Sequence, residues 1–433
     1  MSMKKALEIN CVPDGTIHLP PSKSLSHRAL ICGALAGEGT ILGRLGLSGE
    51  DVAATLSCLV GMGLKYRKQG AELAVTEGIG SLIKDELAQG AKVLDCGESG
   101  STLRFLIPLA LLSGASVTMR GRGRLMQRPL KEFMDALDAN GGSVCLEGQN
   151  LSLQGPLRPG SYVMRGDVSS QFVSGLLMAL PLLDGDSDIR LTTILESSPY
   201  VDMTIDVMEH FGVRIERCEN GYLIPGRQTY KAASYTVEGD YSAGAYFLVA
   251  GALGFHVDCA GLSMDSLQGD REILDFIGRC GGRITGNESG TIGVTADRLH
   301  GITADISQCP DLAPPLAVLL SFCKGESRIV GAGRLRMKES DRLKSITEAL
   351  NGLGAKITEG PDYLHILGVD ELAGGTVDPQ NDHRIAMAGA LASLKSRETV
   401  TVLNPDCVNK SYPDFWKDFC RQEVMEKEKE DKR

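Results

Sequence analysis

One pattern recurs along this chain at intervals of roughly seventy residues: a helix-forming stretch, a glycine stop, then two short β-prone runs joined by polar residues. It stands at 56–75 (LSCLVGMGLKYRKQGAELAV), 133–153, 206–224, 274–294 and 346–367. The glycines Gly63, Gly142, Gly212, Gly282 and Gly354 are expected to take the left-handed C-cap conformation that β-carbons resist. Between these segments lie more apolar helices with polar beginnings, starting near Lys23, Gly100, Ser169, Tyr241, Asp311 and His383. The chain reads as six units, each a strand, a helix with a polar N-terminus, a second strand, a second helix and a hairpin.

The sixth unit has a second helix, expected over Tyr412–Gln422, but no hairpin after it. The tail 423–433 is almost entirely charged and is expected to fray. The unused run Ala6–Leu19, with a turn at Pro13-Asp14-Gly15, can supply the missing strands. The N-terminal residues then belong with the C-terminal half, and three units form each domain. The expected boundaries are 1–21 with 240–433 for a discontinuous domain I, and 22–239 for domain II. A chain of 433 residues exceeds one ordinary core, which agrees with two domains. Repeat symmetry aims the six polar helix starts at the space between domains, forming an anion-attracting cleft.

Such a cleft must be local, because the whole chain carries a formal net charge of −10. That acidity argues against nucleic acid or an anionic membrane as the main partner. Twelve cysteines are scattered without a C-x-x-C pair, and Cys32, Cys58 and Cys323 lie in apolar helix-like segments. They read as reduced thiols, not as a disulfide or zinc framework. The N-terminus lacks the apolar core of a signal peptide, and the most apolar runs, Phe105–Leu112 and Phe172–Leu183, are too short to span a bilayer. A cytoplasmic protein is expected.

Several helix starts carry chemistry. Pro21–Arg28, Pro-Ser-Lys-Ser-Leu-Ser-His-Arg, joins serine caps to Lys23 and Arg28, an arrangement suited to phosphate or carboxylate. Read alone it is equally an ordinary capped helix. Gly97–Arg104, Gly-Glu-Ser-Gly-Ser-Thr-Leu-Arg, lets an anion approach backbone N–H groups but lacks the Lys-Ser/Thr of a P-loop. Arg120–Pro129 holds four arginines, with Arg128 fixed beside Pro129. Asp167–Gln171 and Glu196–Tyr200 add clustered donors. Asp311 stands where an N-cap is expected, with a general base as the alternative. Arg336–Arg342 packs three cations with two carboxylates, either a surface network or an acid/base pocket. Asn381–Arg384 and Asn409-Lys410-Ser411 complete the set. No His or Cys spacing suggests a metal site.

Taken in order, SKSLSHR, Gly-x-Ser-Gly-Ser-Thr-x-Arg, DVSSQ, MKESDR and NDHR resemble the 5-enolpyruvylshikimate-3-phosphate synthase family over essentially the whole chain. The resemblance implies an α/β fold of two inverse α/β barrel-like domains, each of three βαβαββ repeats, around an interdomain cleft. It implies transfer of the enolpyruvyl group of phosphoenolpyruvate to the 5-hydroxyl of shikimate 3-phosphate, with phosphate released and no metal or redox cofactor. Asp311 is then the base at the 5-hydroxyl and Glu339 the acid/base at C3, with Lys23 close to both. Shikimate 3-phosphate is expected on Lys23, Ser24, Arg28, Ser169, Ser170, Gln171, Ser197, Asp311 and Lys338, with Tyr200 nearby. Phosphoenolpyruvate is expected on Lys23, Gly100, Arg128, Gln171, Arg342, Arg384 and Lys410. His383 is expected to orient its neighbours. Glu98, Ser101, Phe105 and Arg334 depart from common family choices. A monomer is expected, with small-molecule substrates and neither nucleic acid nor membrane as partners. The sibling enzyme acting on UDP-N-acetylglucosamine would call for a loop cysteine near Arg120–Arg128 and a Lys-Asn pair at the start; neither is present. RNA 3′-phosphate cyclase fits poorly with an acidic chain and the Asp311/Glu339 pair. A non-catalytic anion binder would not need both carboxylates.

Overall fold

The computed structural model describes residues 5–80, 92–286 and 290–420. They fall into two compact units. One comprises the chain up to Pro20, Gly239–Ser266 and the residues from Asp270 onward; the other comprises Pro21–Glu238 with Leu267–Gly269. The crossings lie one residue ahead of the expected 21/22 and 239/240 boundaries.

The chain opens with β1 (Ala6–Ile9) and β2 (Gly15–His18), then enters the Pro21–Glu238 unit. There α1 (Lys23–Ala36), β3 (Ile41–Gly43), α2 (Glu50–Gly61), β4 (Lys65–Gln69) and β5 (Glu72–Glu77) begin the first sheet. The second uses β6 (Lys92–Asp95), α3 (Gly100–Ala110), β7 (Ser116–Arg120), α4 (Lys131–Asp138), β8 (Ser143–Glu147) and β9 (Asn150–Gln154). The third uses β10 (Ser161–Met164), α5 (Ser170–Ala179), β11 (Ser187–Leu191), α6 (Ser198–His210), β12 (Glu216–Cys218) and β13 (Gly221–Ile224). Finally β14 (Ser234–Thr236) returns to the first sheet. The strand orders are β14-β3-β5-β4, β6-β7-β9-β8 and β10-β11-β13-β12. In each, two parallel strands are followed by an antiparallel hairpin. β14 thus fills the opening position of the first sheet, a role the local pattern does not reveal.

The other unit repeats the scheme. α7 (Tyr241–Ala252), β15 (Val257–Ala260), α8 (Ile273–Arg279), β16 (Gly282–Gly286) and β17 (Thr291–Ala296) join β2 in the order β16-β17-β15-β2. β18 (Thr303–Asp305), α9 (Ala313–Ser321), β19 (Glu326–Val330), α10 (Arg342–Gly352), β20 (Lys356–Glu359) and β21 (Leu364–Leu367) form β18-β19-β21-β20. Last come β22 (Gly375–Val377), α11 (His383–Ser393), β23 (Val400–Leu403) and α12 (Phe415–Cys420), with β1 completing β1-β23-β22.

Four expectations are corrected. Ala6–Leu19 is not a hairpin: β1 pairs antiparallel with β23, whereas β2 pairs parallel with β15. The turn signal at Pro13–Gly15 reverses the chain without pairing its flanks, because each strand finds a better edge elsewhere. The cysteines are not all reduced, since Cys11 and Cys420 form a disulfide across 409 positions. The β1–β23 pairing brings the two ends of this unit together, which residue spacing cannot show. The left-handed glycines are Gly141 (φ 93°) and Gly281 (φ 101°), not Gly142 and Gly282, while Gly63, Gly212 and Gly354 hold as expected. In each Gly-Gly pair the first residue closes the helix, while the second starts β16 at Gly282 and directly precedes β8 at Gly142. The last helix begins at Phe415, after a 3-10 turn over Pro405–Lys410, rather than at Tyr412. Its expected end at Gln422, and the charged tail, lie outside the described residues.

Each unit has its own hydrophobic core. α1, α3 and α5 are buried around nearly their whole circumference, whereas α2, α4 and α6 bury one face. An all-round apolar helix belongs at the centre of a unit, so its polar side chains are confined to its ends. That confinement puts the chemistry at the helix starts. Gly175 lets α5 approach α3 closely, since a β-carbon there would lie 2.5 Å from the Arg104 carbonyl oxygen. In the other unit α7, α9 and α11 pack mutually.

Candidate active site

In the Pro21–Glu238 unit, Ser22 caps α1: its Oγ accepts from the Leu25 N–H at 3.4 Å. Lys23, in the first turn, pairs with Asp51 at 2.6 Å in the first turn of α2. Arg28 is buried. Its Nε donates to Thr204 Oγ1 at 2.7 Å, and its two amino groups to the carbonyls of Ser24 at 2.7 Å and Tyr200 at 2.6 Å. None of these partners is charged, and burial pulls the Arg28 pKa down to about 10. A buried cation without a carboxylate is costly, and an incoming anion would relieve that cost.

At the start of α3, Gly100 lies under the Arg128 guanidinium; a β-carbon would sit 2.7 Å from the nearer amino nitrogen. Ser99 caps this helix through the Thr102 N–H at 3.2 Å. The Glu98 carboxyl stands against Gly123, where a β-carbon would come within 2.8 Å of it. Gln171, in the first turn of α5, is held at both ends of its amide: Arg104 donates to Oε1 at 2.7 Å, and Nε2 donates to Ser101 Oγ at 2.9 Å. Ser169 caps α5, Ser170 opens it, and Ser197 precedes α6 with left-handed backbone (φ 57°). Hydrogen bonds therefore link Lys23 to α2, Arg28 to Tyr200 on α6, and Gln171 to α3. Sequence reading passed over Asp51, Arg104 and Thr204. Asp51 and Thr204 lie outside the quoted motifs, and Arg104 sits inside one as an apparent helix residue.

In the other unit the expected residues meet on one guanidinium. Arg342 is 1% exposed in its side chain and bonds three carboxylates. One amino group donates to Asp311 at 2.8 Å, the other to Glu339 at 2.8 Å and Asp382 at 3.3 Å, and Nε to Asp382 at 2.7 Å. Asp311 also accepts from Arg384 at 2.7 Å and lies 3.5 Å from the Lys338 ammonium. It caps no helix, and occupies a 3-10 turn over Pro310–Leu312 ahead of α9. The N-cap reading is replaced by a carboxylate ringed with cations.

Asp382 was read only as part of the NDHR motif. Its carboxylate caps α11 through the Arg384 N–H at 3.0 Å, accepts from Ser340 Oγ at 3.1 Å, and anchors Arg342. Lys410 donates to the Asn381 carbonyl at 2.7 Å. The Arg336–Arg342 segment divides: Arg336 pairs outward with Asp341 and Glu359, whereas Lys338, Glu339 and Arg342 join Asp311. Arg334 reaches the Ser307 carbonyl at 2.8 Å, and His383 is buried beside Asp382.

Electrostatics follow from this packing. Burial works to raise the Asp311 pKa, but Arg384, Lys338 and Arg342 outweigh it and hold the carboxyl well below the usual range, against Glu339. Burial pulls Lys338 down to about 8 despite Asp311. Asp270, buried and hydrogen-bonded by Ser242, is pushed up to about 6 by burial and then by Asp311. Among the described residues no group of three His, Cys, Asp or Glu is placed to hold a metal ion. No helix among them is long and apolar enough to cross a membrane.

Residues 12–419 match the family described as EPSP synthase (3-phosphoshikimate 1-carboxyvinyltransferase). The chain is 43% identical over 422 residues to a 3-phosphoshikimate 1-carboxyvinyltransferase of Clostridium perfringens, covering 96% of this chain and 98% of that protein. It is 45% identical over 417 residues to the Clostridium novyi protein of the same name, covering 94% of each. Its fold is that of EPSP synthase from Acinetobacter baumannii (TM-score 0.77, 24% identity, 97% and 98% covered). It is also that of the enolpyruvyl transferase NikO from Streptomyces tendae (TM-score 0.77, 17% identity, 97% and 98% covered). Matched along nearly its whole length and at this identity, the chain belongs to the EPSP synthase family.

Proposed function

We infer that this chain transfers the enolpyruvyl group of phosphoenolpyruvate to the 5-hydroxyl of shikimate 3-phosphate and releases phosphate, a step of the shikimate pathway toward chorismate and the aromatic amino acids. The observation that carries the reading is the pair of carboxylates, Asp311 and Glu339, held by the two amino groups of Arg342. The reaction needs two proton-transferring groups at once. In the proposed course, Glu339 in its protonated form gives a proton to C3 of phosphoenolpyruvate and C2 becomes electrophilic. The 5-hydroxyl adds to C2 as Asp311 takes its proton, giving a tetrahedral ketal. Glu339 then removes a proton from C3 as phosphate leaves and the vinyl double bond re-forms.

Asp311 is a weak base while three cations face it. Phosphate and carboxylate groups of the substrates would share Lys338 and Arg384, and that sharing raises Asp311 toward a useful basicity. Of the five N–H donors of Arg342, the three carboxylates engage four. One remains for phosphoenolpyruvate, which Arg384, Lys410, Lys23, Gly100, Arg128 and Gln171 also bind. Lys23, Ser24, Arg28, Ser169, Ser170, Gln171, Ser197 and Lys338 bind shikimate 3-phosphate. Both substrates are multiply anionic, so clustered cations must offset their repulsion. The proposal includes the family architecture of two inverse α/β barrel-like domains that close on shikimate 3-phosphate, in a cytoplasmic monomer.

Phosphate release measured with each substrate alone and with both tests it. Release only with both, and none with UDP-N-acetylglucosamine in place of shikimate 3-phosphate, is expected; the opposite preference overturns the assignment. Scattering profiles that do not change on adding shikimate 3-phosphate overturn the closure.

A further inference from the structure

The motif histidine His27 has no place in the reaction above, yet it is fully buried between three helix starts. Its Nδ1 lies 2.7 Å from Thr55 Oγ1 on α2, and Thr55 Oγ1 lies 2.6 Å from Thr102 Oγ1 on α3. Thr102 Oγ1 in turn reaches the Asp51 carbonyl at 3.2 Å and Ser99 Oγ at 2.7 Å. Thr55, Thr102 and Ser99 are all fully buried, so water does not compete for these bonds. The His27–Thr55 rung sits one helical turn beyond the Lys23–Asp51 rung, joining the same two helices at the same 28-residue separation.

The proton directions follow from counting. A backbone carbonyl only accepts, and each threonine has one hydroxyl proton. Thr102 therefore spends its proton on Asp51 or Ser99 and must accept from Thr55. Thr55 must then accept from His27, whose Nδ1 carries the ring proton. Nε2 is left as a bare lone pair with no hydrogen-bond partner among the described residues, and the ring stands at 85° to that of Phe105 with centroids 6.3 Å apart. The ring is neutral: burial, then the Lys23 and Arg28 charges, hold its pKa well below the ordinary value.

We propose that His27 is a positioning residue: through Thr55 and Thr102 it fixes the starts of α1, α2 and α3 against one another, and so sets Lys23 and the Gly100 backbone for phosphoenolpyruvate. The proposal rests on the assignment of Lys23 and Gly100 to that substrate. Without the relay, the Thr102 hydroxyl that reaches the Asp51 carbonyl and Ser99 loses the Thr55 hydroxyl that orients it, so both the Lys23 anchor and the Gly100 turn drift. Chemistry at C2 and C3 is untouched.

Four variants of the full chain test it, with Lys23→Met as the control. His27→Leu and Thr55→Val should each raise the Michaelis constant for phosphoenolpyruvate roughly tenfold, with kcat changed less than about threefold. The double variant should be no worse than either single one, because both break one chain. His27→Asn, whose amide N–H can stand where Nδ1–H stood, should recover most of the loss. In the wild-type enzyme, nitrogen-15 spectra of the ring should report the neutral Nδ1–H form. A drop in melting temperature with an unchanged Michaelis constant overturns the positioning role, as does an Nε2–H ring. An unchanged Michaelis constant in Lys23→Met instead refutes the substrate assignment beneath it.

Discussion

Replacing Asp382 tests whether the carboxylate trio around Arg342 is organised from its fully buried member. Asp382→Ala removes two bonds to Arg342, the acceptor for Ser340, and the cap on the Arg384 N–H. Breaking a buried ion pair from one side costs about 3–5 kcal/mol. Loss of a helix cap adds about 1 kcal/mol. Arg342 keeps Asp311 and Glu339, so the lower end of the first range applies, giving a total near ~4 kcal/mol. Asp382→Asn keeps the cap and the Ser340 contact but not the charge, and should cost about half as much, ~2 kcal/mol. For a unit of this size each kcal/mol lowers the melting temperature by roughly 2–4 °C. The alanine variant should therefore melt roughly 8–16 °C below wild type, with the asparagine variant between them. Thermal unfolding of the full chain, read by circular dichroism, measures both, and guanidinium titration gives the free energies directly. Equal melting temperatures in all three proteins would refute the idea that Asp382 anchors Arg342. An asparagine variant as damaged as the alanine one would assign the whole loss to the Arg342 ion pair and none to the cap or the Ser340 contact.

Asp311→Asn and Glu339→Gln should each lose on the order of 10²-fold or more in kcat while calorimetry still detects shikimate 3-phosphate binding; full turnover in either removes that residue from its role. Lys338 titrates near pH 8 when folded and near 10.4 when unfolded, so the unfolded chain holds the extra proton between those values. Stability from this group is therefore lowest below about pH 8 and improves as pH rises through that window, whereas its attraction for phosphate is lost. The Michaelis constant for shikimate 3-phosphate should climb between pH 7.5 and 9.5 in wild type and stay flat in Lys338→Met, as stopped-time assays across that range would reveal. Gly100→Ala puts a β-carbon 2.7 Å from an Arg128 amino nitrogen, so that guanidinium must move and the Michaelis constant for phosphoenolpyruvate should rise; an unchanged constant separates Arg128 from that substrate.

Local grammar made the helix starts legible. Ser22, Ser99, Ser169 and Asp382 are capping types ahead of apolar runs, and each does cap its helix. The hairpins were legible for the same reason, since their strands adjoin in sequence. What stayed hidden depends on distant partners. A turn at Pro13–Gly15 looks the same whether β1 and β2 pair with each other or with β23 and β15. Cys11 and Cys420 carry no spacing signal at all. Asp382, read only within NDHR, caps its helix, and nothing local marks its bonds to an arginine forty positions away. Asp311 shows the converse: it stands where a cap belongs and instead faces three cations from two other segments.

Three sheets take one strand from far along the chain, and this imposes an order of assembly during synthesis. The inserted unit holds everything it needs once Ser234–Thr236 has emerged to lie beside β3. The strand Ala6–Ile9, made before the other described strands, must wait until Val400–Leu403 leaves the ribosome before it has an edge to join. Domains generally fold as units while the chain is being made. A nascent chain of this protein thus carries a finished middle while Ala6–Ile9 is still unpaired, and any factor that guards such exposed edges would find its target in that strand.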